Sequence, residues 1–299
     1  MKKNWIIFLC LICTSFSNQR NDSDLSIGFW NVENLFDLEN DPDKRDDEFS
    51  LNGRKKATKE IYDLKIKNSA EVLYDLNVDV LGLCEVENRK VLNDLNNSYR
   101  SRNYSIIHYD SPDERGIDNA LLYDKDKFSI ITSKPIQNNL GRDDKTRDIL
   151  YVKGLYKNSA LHIFVNHWPS NYGGKELAIP KRKSTALLIM QQISEIQKNE
   201  NNAEIILLGD FNEDPTDENV TLLYDLGFIS LMEPMIGIPK TGTYLYRGKD
   251  YFYDQIIVNK ALNEDGNLKV INKSIYILDL PKYRQQEGKY KRYPYRFWA

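Results

Sequence analysis

Residues 104–167 carry five apolar-rich runs in succession: YSIIHY at 104–109, IDNALLY at 117–123, FSIITS at 128–133, ILYVKGLY at 149–156 and LHIFVNH at 161–167. No helix-length pattern separates them. Short runs rich in Ile, Leu, Val and Tyr, joined by polar connections, read as strands that pair antiparallel with their neighbours. Outward from this block the pattern changes. Upstream, 25–32 (LSIGFWNV) reads as a strand, and the charged stretch 37–54 as a long surface loop. Residues 55–77 read as a helix with Ile61, Leu64, Ala70, Leu73 and Leu76 on one face. Residues 79–86 read as a buried strand, and Asn88 caps a short helix through Leu95. Downstream, 181–199 is an amphipathic helix with Ala186, Met190, Ile193 and Ile196 inward. A buried strand at 204–208, a short helix at 217–225, and strands at about 242–246, 251–258 and 270–280 complete the pattern. The flanks alone suggest a doubly wound parallel sheet. The central block suggests two stacked sheets with helices outside. Pattern alone does not choose between them.

The chain has 299 residues, enough for one large α/β domain or two small ones. No repeat or Pro/Ser linker divides it, so one domain is expected over 24–299. With 41 basic against 44 acidic residues, binding of nucleic acid by bulk positive charge is excluded. Local recognition of a phosphate is not. Nineteen tyrosines argue against a disordered chain.

Met1-Lys2-Lys3 precedes an unbroken apolar run from Trp5 to Cys13 and then small or polar residues. This reads as a secretory signal peptide over residues 1–17, cleaved after Ser17, and is too short to span a bilayer comfortably. It places the protein outside the cell or in the periplasm and envelope. A lipoprotein site at Cys13 is disfavoured by Ile12, where a small residue is expected. Cleavage leaves a net charge of −5 instead of −3 and one thiol, Cys84, read as a core residue.

Buried-looking strands run into polar residues at their ends: Asn31 and Glu33, Glu85, His167, and Asp210 with Asn212. Rigid scaffolds present chemistry at such ends. Oxygen ligands with few histidines suit a hard divalent ion, Mg²⁺ first, with Mn²⁺ or Ca²⁺ as alternatives. The histidines are His108, His162 and His167, with no H-x-x-x-H pair for zinc.

These residues resemble the motifs of the endonuclease/exonuclease/phosphatase family. The segments are Phe29 to Asp37, Cys84-Glu85-Val86-Glu87, Val165 to Ser170 with Gly173-Gly174, Gly209 to Pro215, and Tyr253 to Ile257. Each alone is weak; five in order along nearly the whole chain are specific. The resemblance implies an α/β four-layer sandwich, with two mixed β-sheets packed face to face and helices outside. It implies Glu85 as the principal metal ligand, with Asn31 and Glu33 nearby and Glu87 as a decoy. It implies that Asp210 handles a proton or aligns water and that Asn212 donates to the charge developing on the phosphoryl group. His167 would contact the scissile phosphate, and Asp254 would belong to the catalytic set. Asn31, Arg115 and Ser170 are the substrate-binding candidates, and Lys175, Lys181, Arg182 and Lys183 could line the approach. His108 and His162 are assigned to structure or surface.

The family pattern ends in a Ser-Asp-His triplet that has no counterpart after Asp254. Three explanations fit: a chain cut a few tens of residues early, an active variant relying on His167, or a pseudoenzyme that keeps metal and phosphate binding. We favour the first, because Asp254 without its histidine is an odd retention and a missing strand leaves a sheet edge unpaired. The expectation is a monomeric, Mg²⁺-dependent phosphodiester hydrolase without a stable membrane span. It would be a nuclease, with DNA ahead of RNA. A phosphomonoesterase, or a phospholipase of the sphingomyelinase kind, is the runner-up.

Overall fold

The computed structural model describes residues 5–9, 23–141 and 144–297. Two six-stranded mixed sheets form its centre. In the first, the order is Leu268–Val270 (β14), Trp5–Leu9 (β1), Leu25–Leu35 (β2), Val80–Val86 (β3), Asp118–Tyr123 (β5) and Ser105–His108 (β4). In the second it is Phe228–Ser230 (β10), Asp254–Asn259 (β13), Ile205–Asp210 (β9), Ser159–His167 (β8), Ile149–Tyr156 (β7) and Ser129–Ile136 (β6). The central block therefore divides between the sheets, β4 and β5 pairing antiparallel in one and β6, β7 and β8 in the other. The parallel pairs are β14 with β1, β1 with β2, β2 with β3, and β8 with β9.

Alternation along the strands builds three apolar layers. Phe29, Val80, Cys84, Ile163, Val165, Ile206, Leu208, Ile256 and Val258 meet between the sheets. On the outer face of the first sheet, Leu81 and Leu83 pack against Lys59–Leu76 (α1) and Arg89–Ser98 (α2). On the outer face of the second, Phe164, Ile205 and Leu207 pack against Lys175–Asn199 (α3) and the short Glu218–Thr221 helix (α4). This is the four-layer sandwich. Gly82 sits where the sheets approach most closely: a Cβ there would lie 3.2 Å from Val165 and 3.3 Å from Leu208. Among the described residues no helix is long and apolar enough to cross a membrane.

Several local expectations are corrected. In α1, Leu64 is exposed, while Tyr62, Lys65, Ile66 and Ser69 join Ala70, Leu73 and Leu76 on the buried face. The helix begins at Lys59, capped by Thr58, whose hydroxyl accepts from the Ile61 amide at 3.3 Å. In α3 the inward residues are Ala178, Arg182, Thr185, Ala186, Ile189 and Ile193; Met190 and Ile196 lie at the margin. That helix starts at Lys175 instead of the expected 181, with Pro180 inside it. The strand expected at 251–258 is two strands, Lys249–Tyr251 (β12) and β13, with β12 pairing to Tyr244–Tyr246 (β11) as a separate ribbon. Of 270–280 only Val270 belongs to a strand; Ile275, Tyr276 and Ile277 pack on the core without joining a ladder. The charged 37–54 stretch is anchored, because Phe49 stacks on Phe36 at 4.3 Å and both pack with Ile117.

Trp5–Leu9, within the apolar run read as a leader, lies as β1 between β2 and β14. Cys13 and Ser17 lie outside the described residues.

Candidate active site

Side-chain parity brings one set of residues to the rim of the inter-sheet core. Asn31 continues the face of Ile27 and Phe29, His167 that of Ile163 and Val165, Asp210 that of Ile206 and Leu208, and Asp254 that of Ile256 and Val258. The ladders align them: His167 pairs with Asp210 across β8 and β9, and Asp254 with Asp210 across β13 and β9.

Glu85 follows the parity of Leu81 and Leu83, which face the helices. A bulge redirects it. Register shifts between Cys84 and Val86, and Glu85 takes a left-handed backbone with φ of 62°. The neighbouring strand β2 is irregular too, with Glu33 and Asn34 at φ of 52° and 58°. Left-handed non-glycine residues and bulges cost conformational energy and cluster where side chains must be re-aimed. As a result the Asn31 Nδ2 donates to Glu85 Oε1 at 3.3 Å and to Asp210 Oδ2 at 3.1 Å. The Asn34 amide donates to Glu85 Oε2 at 3.0 Å.

Burial raises the Asp210 carboxyl to about 6, opposed by the Asn212 amide and Asn31 and reinforced by the charge of Glu85. Asp254 is pushed well above the usual carboxylate range by burial, then by Asp210 and Glu85. Its backbone N–H donates to Thr243 Oγ1 at 3.0 Å. Three neighbouring carboxyl groups that repel one another in a largely buried place form an oxygen-rich donor set. A hard divalent cation fits such a set better than a soft one.

His167 is buried, with Nε2 at 3.9 Å from both Glu85 Oε1 and Asp210 Oδ2, too far for hydrogen bonds. Burial, then Arg147, then Arg115, holds its pKa well below the ordinary value, so the ring is neutral near pH 7. Among the described residues its Nδ1 has no hydrogen-bond partner. Asn212 does not continue the strand: at φ of 51° it turns back, and its amide donates to Asp210 Oδ1 at 2.9 Å. Its side-chain Nδ2 donates to the Trp168 carbonyl at 3.1 Å, which keeps it beside His167.

The other candidates separate. Arg115 reaches the edge of the set, its Nη1 at 3.4 Å from Asn34 Oδ1. Glu33 does not join Glu85; its carboxylate pairs with Arg296, and its amide donates to Asn31 Oδ1 at 2.9 Å. Ser170 is exposed, and its Oγ accepts from the Tyr172 amide at 3.3 Å. Glu87 lies past the strand end, accepting from the Asp37 amide at 2.6 Å. Lys181 pairs with Asp144 at 2.6 Å, and Lys183 lies 3.8 Å from Glu218. Arg182 does not line an approach. It is buried, donating to Glu213 at 2.7 Å, to the Pro169 carbonyl at 3.0 Å and to Asn171 at 3.1 Å. It thereby ties α3 to the loop after His167 and to the loop after Asp210.

Arg147 was not foreseen from the sequence. It is buried, donates to Asp113 at 3.2 Å and to the Trp168 carbonyl at 2.9 Å, and is the charge that most depresses His167. It stands two residues before β7 with nothing in its spacing to mark it. Among the described residues, one further group of His and Asp has its ligand atoms within 4.8 Å of one another: His108, Asp110 and Asp118. His108 Nε2 lies 2.9 Å from Asp118 Oδ2, and Asp118 Oδ1 accepts the Ser111 amide at 2.8 Å, so internal bonds account for the pair.

The family model described as "Endonuclease/Exonuclease/phosphatase family" matches residues 26–299. The chain belongs to this family. Solved structures agree on the fold. The zebrafish (D. rerio) TDP2 complexed with single-strand DNA product is 15% identical with a TM-score of 0.54, over 80% of this chain and 84% of that one. The Bacteroides thetaiotaomicron mannosyl-6-phosphatase Bt3783 is 18% identical with a TM-score of 0.55, over 79% and 86%. The human Nocturnin catalytic domain with bound sulfate is 17% identical with a TM-score of 0.52, over 77% and 80%. No curated protein matches the chain. Membership makes the chain a relative of phosphoesterases, nucleases and phosphatases among them.

Proposed function

We propose that this chain is a secreted, monomeric, Mg²⁺-dependent phosphodiester hydrolase, a nuclease that acts on DNA in preference to RNA. The observation that carries the reading is the convergence of Asn31, Glu85, His167, Asp210, Asn212 and Asp254 on one rim of the inter-sheet core. Secretion rests on the basic start and apolar run of residues 1–17.

Glu85, with Asn31 beside it, would hold the divalent ion, with Asp254 behind them. A cation bound there supplies polarisation of a phosphoryl oxygen and charge compensation at the leaving oxygen. Asp210 takes a proton from the attacking water as the oxygen–phosphorus bond forms in line with the bond that breaks. The leaving alkoxide takes a proton from solvent or from a neighbouring acid. Asn212 and the neutral His167 present donors to the equatorial oxygens, where charge accumulates. Arg115, at the edge of the cluster, faces the flanking phosphate.

The test is a panel of substrates with the purified protein: single- and double-stranded oligonucleotides, RNA, sphingomyelin vesicles and sugar phosphates, each with Mg²⁺ and with EDTA. Mg²⁺-dependent cleavage of DNA above all others supports the reading. Preferential release of inorganic phosphate from a sugar phosphate, or hydrolysis of sphingomyelin, makes it a different phosphoesterase.

A further inference from the structure

Beside the acidic rim stands a ladder of four tyrosines that the reaction does not use. Tyr246 stacks on Tyr244 with ring centres 6.2 Å apart and 13° between planes. Tyr244 stacks on Tyr253 at 5.3 Å and 18°, and Tyr253 packs on Tyr251 at 5.0 Å and 36°. The β11–β12 ribbon makes this ladder, with Tyr244 and Tyr251 as cross-strand partners and Tyr246 on the same face two residues on. Strands of three residues do not hold a ribbon alone, so Tyr251 and Tyr253, half-buried, serve as its packing. Tyr244 and Tyr246 remain 38% and 47% exposed.

The ladder is tied to the acidic set at one end. Tyr253 immediately precedes Asp254, and Thr243, next to Tyr244, accepts the Asp254 amide. The charges of Asp210, Glu33 and Arg296 all bear on the Tyr244 hydroxyl. Cations flank the rings: Arg247 lies 5.2 Å from the Tyr246 ring and Lys249 Nζ 4.5 Å from the Tyr251 ring. Among the described residues neither of these exposed cations is in an ion pair.

We infer that Tyr244 and Tyr246 are a stacking platform for the bases of a single-stranded polynucleotide whose scissile phosphate lies at Asn31 and Asp210. The inference rests on the phosphodiesterase reading and names the form of substrate that reading leaves open. Exposed aromatic rings in series, flanked by cations, match a strand that alternates π-faces with phosphates. An uncharged sugar would use the rings but not Arg247 and Lys249. A duplex, with its bases already stacked on one another, would not use the rings.

The experiment measures binding by fluorescence anisotropy in EDTA, where turnover is suppressed, with the full chain. The probes are an end-labelled thymidine octamer and an octamer of base-less tetrahydrofuran units with the same phosphates. The platform predicts that the thymidine octamer binds at least tenfold tighter. Tyr246→Ala should remove most of that preference, and Tyr246→Phe should keep it within about twofold. Equal affinity for the two octamers, a preference unmoved by Tyr246→Ala, or tighter binding of a mannose-6-phosphate glycan than of the octamer overturns it. Hydrolysis of the octamer in Mg²⁺ is scored separately. A base preference that depends on Tyr246, with no hydrolysis, sinks the phosphodiesterase reading and leaves the platform standing.

Discussion

Asn212 shows how one residue serves backbone and chemistry together. Its left-handed φ brings its amide back to Asp210, and its side chain is then held at Trp168. Asn212→Gly keeps the backbone free to take that φ while removing the side-chain donor. We predict a fall in kcat of about 10²–10³-fold with little change in Tm; a kcat within threefold of the parent removes Asn212 from the mechanism. A second residue-scale prediction concerns His162, buried between Tyr151 and Glu200 at 2.8 and 3.1 Å. Burial lowers its pKa below 6.5. The unfolded chain therefore takes up a proton below about 6.5 that the folded chain does not. Stability from this group is full above 6.5 and is lost as pH falls toward the lower, folded pKa. His162→Gln should flatten part of the fall in Tm between pH 6.5 and 5, as read by calorimetry; an unchanged acid limb contradicts the assignment. Their place at strand ends made Asn31, Glu85, His167 and Asp210 legible as candidates, and Asp254 came from the family resemblance. Neither showed that a bulge turns Glu85 into the set, nor marked Arg147, whose role depends on a loop carbonyl and Asp113.

At the scale of elements, the helices hold the catalytic loops through polar contacts that their apolar pattern conceals. Arg182, a candidate for lining the substrate approach, is instead enclosed, with Glu213 held in turn by Asn219 at 2.8 Å. Arg182→Met leaves Glu213 buried without its cation, at a cost of about 3–5 kcal/mol. We expect a large drop in the urea midpoint; a change below 1 kcal/mol would show that the network is slack. Of the apolar stripes, Ala70, Leu73 and Leu76 in α1 and Ala186 and Ile193 in α3 were legible, while Leu64 is exposed and Ile196 lies at the margin. Two of the missed residues share a cause: Lys65 and Arg182 are buried because backbone carbonyls receive them, Lys65 at those of Val32 and Glu33. Hydrophobicity patterns score such residues as outward. The β11–β12 ribbon and the unpaired 275–277 run show a second limit, since strands of three residues and packed irregular chain share the composition of longer strands.

For the whole molecule, the order of motifs along the chain carried the family resemblance, and it was the resemblance that implied two facing sheets; four of the five motifs end a strand and Tyr253 to Ile257 opens β13. The fate of the first residues was less legible. Trp5–Leu9 pairs with β2 and β14, and cleavage after Ser17 would remove it and free an edge of each. Mass spectrometry of protein recovered from the periplasm or medium should give an N-terminus at Asn18; a chain retaining Met1 inside the cell contradicts the export proposal. The proposed activity depends on one cluster, with Glu85 turned into it. The most direct test is the Mg²⁺-dependent cleavage rate of a single-stranded DNA oligonucleotide by the parent and by Glu85→Gln, which keeps the shape of the side chain and removes its charge. A loss of at least a hundredfold in kcat/KM at unchanged Tm is the predicted result. Full Mg²⁺-dependent activity in Glu85→Gln would contradict it.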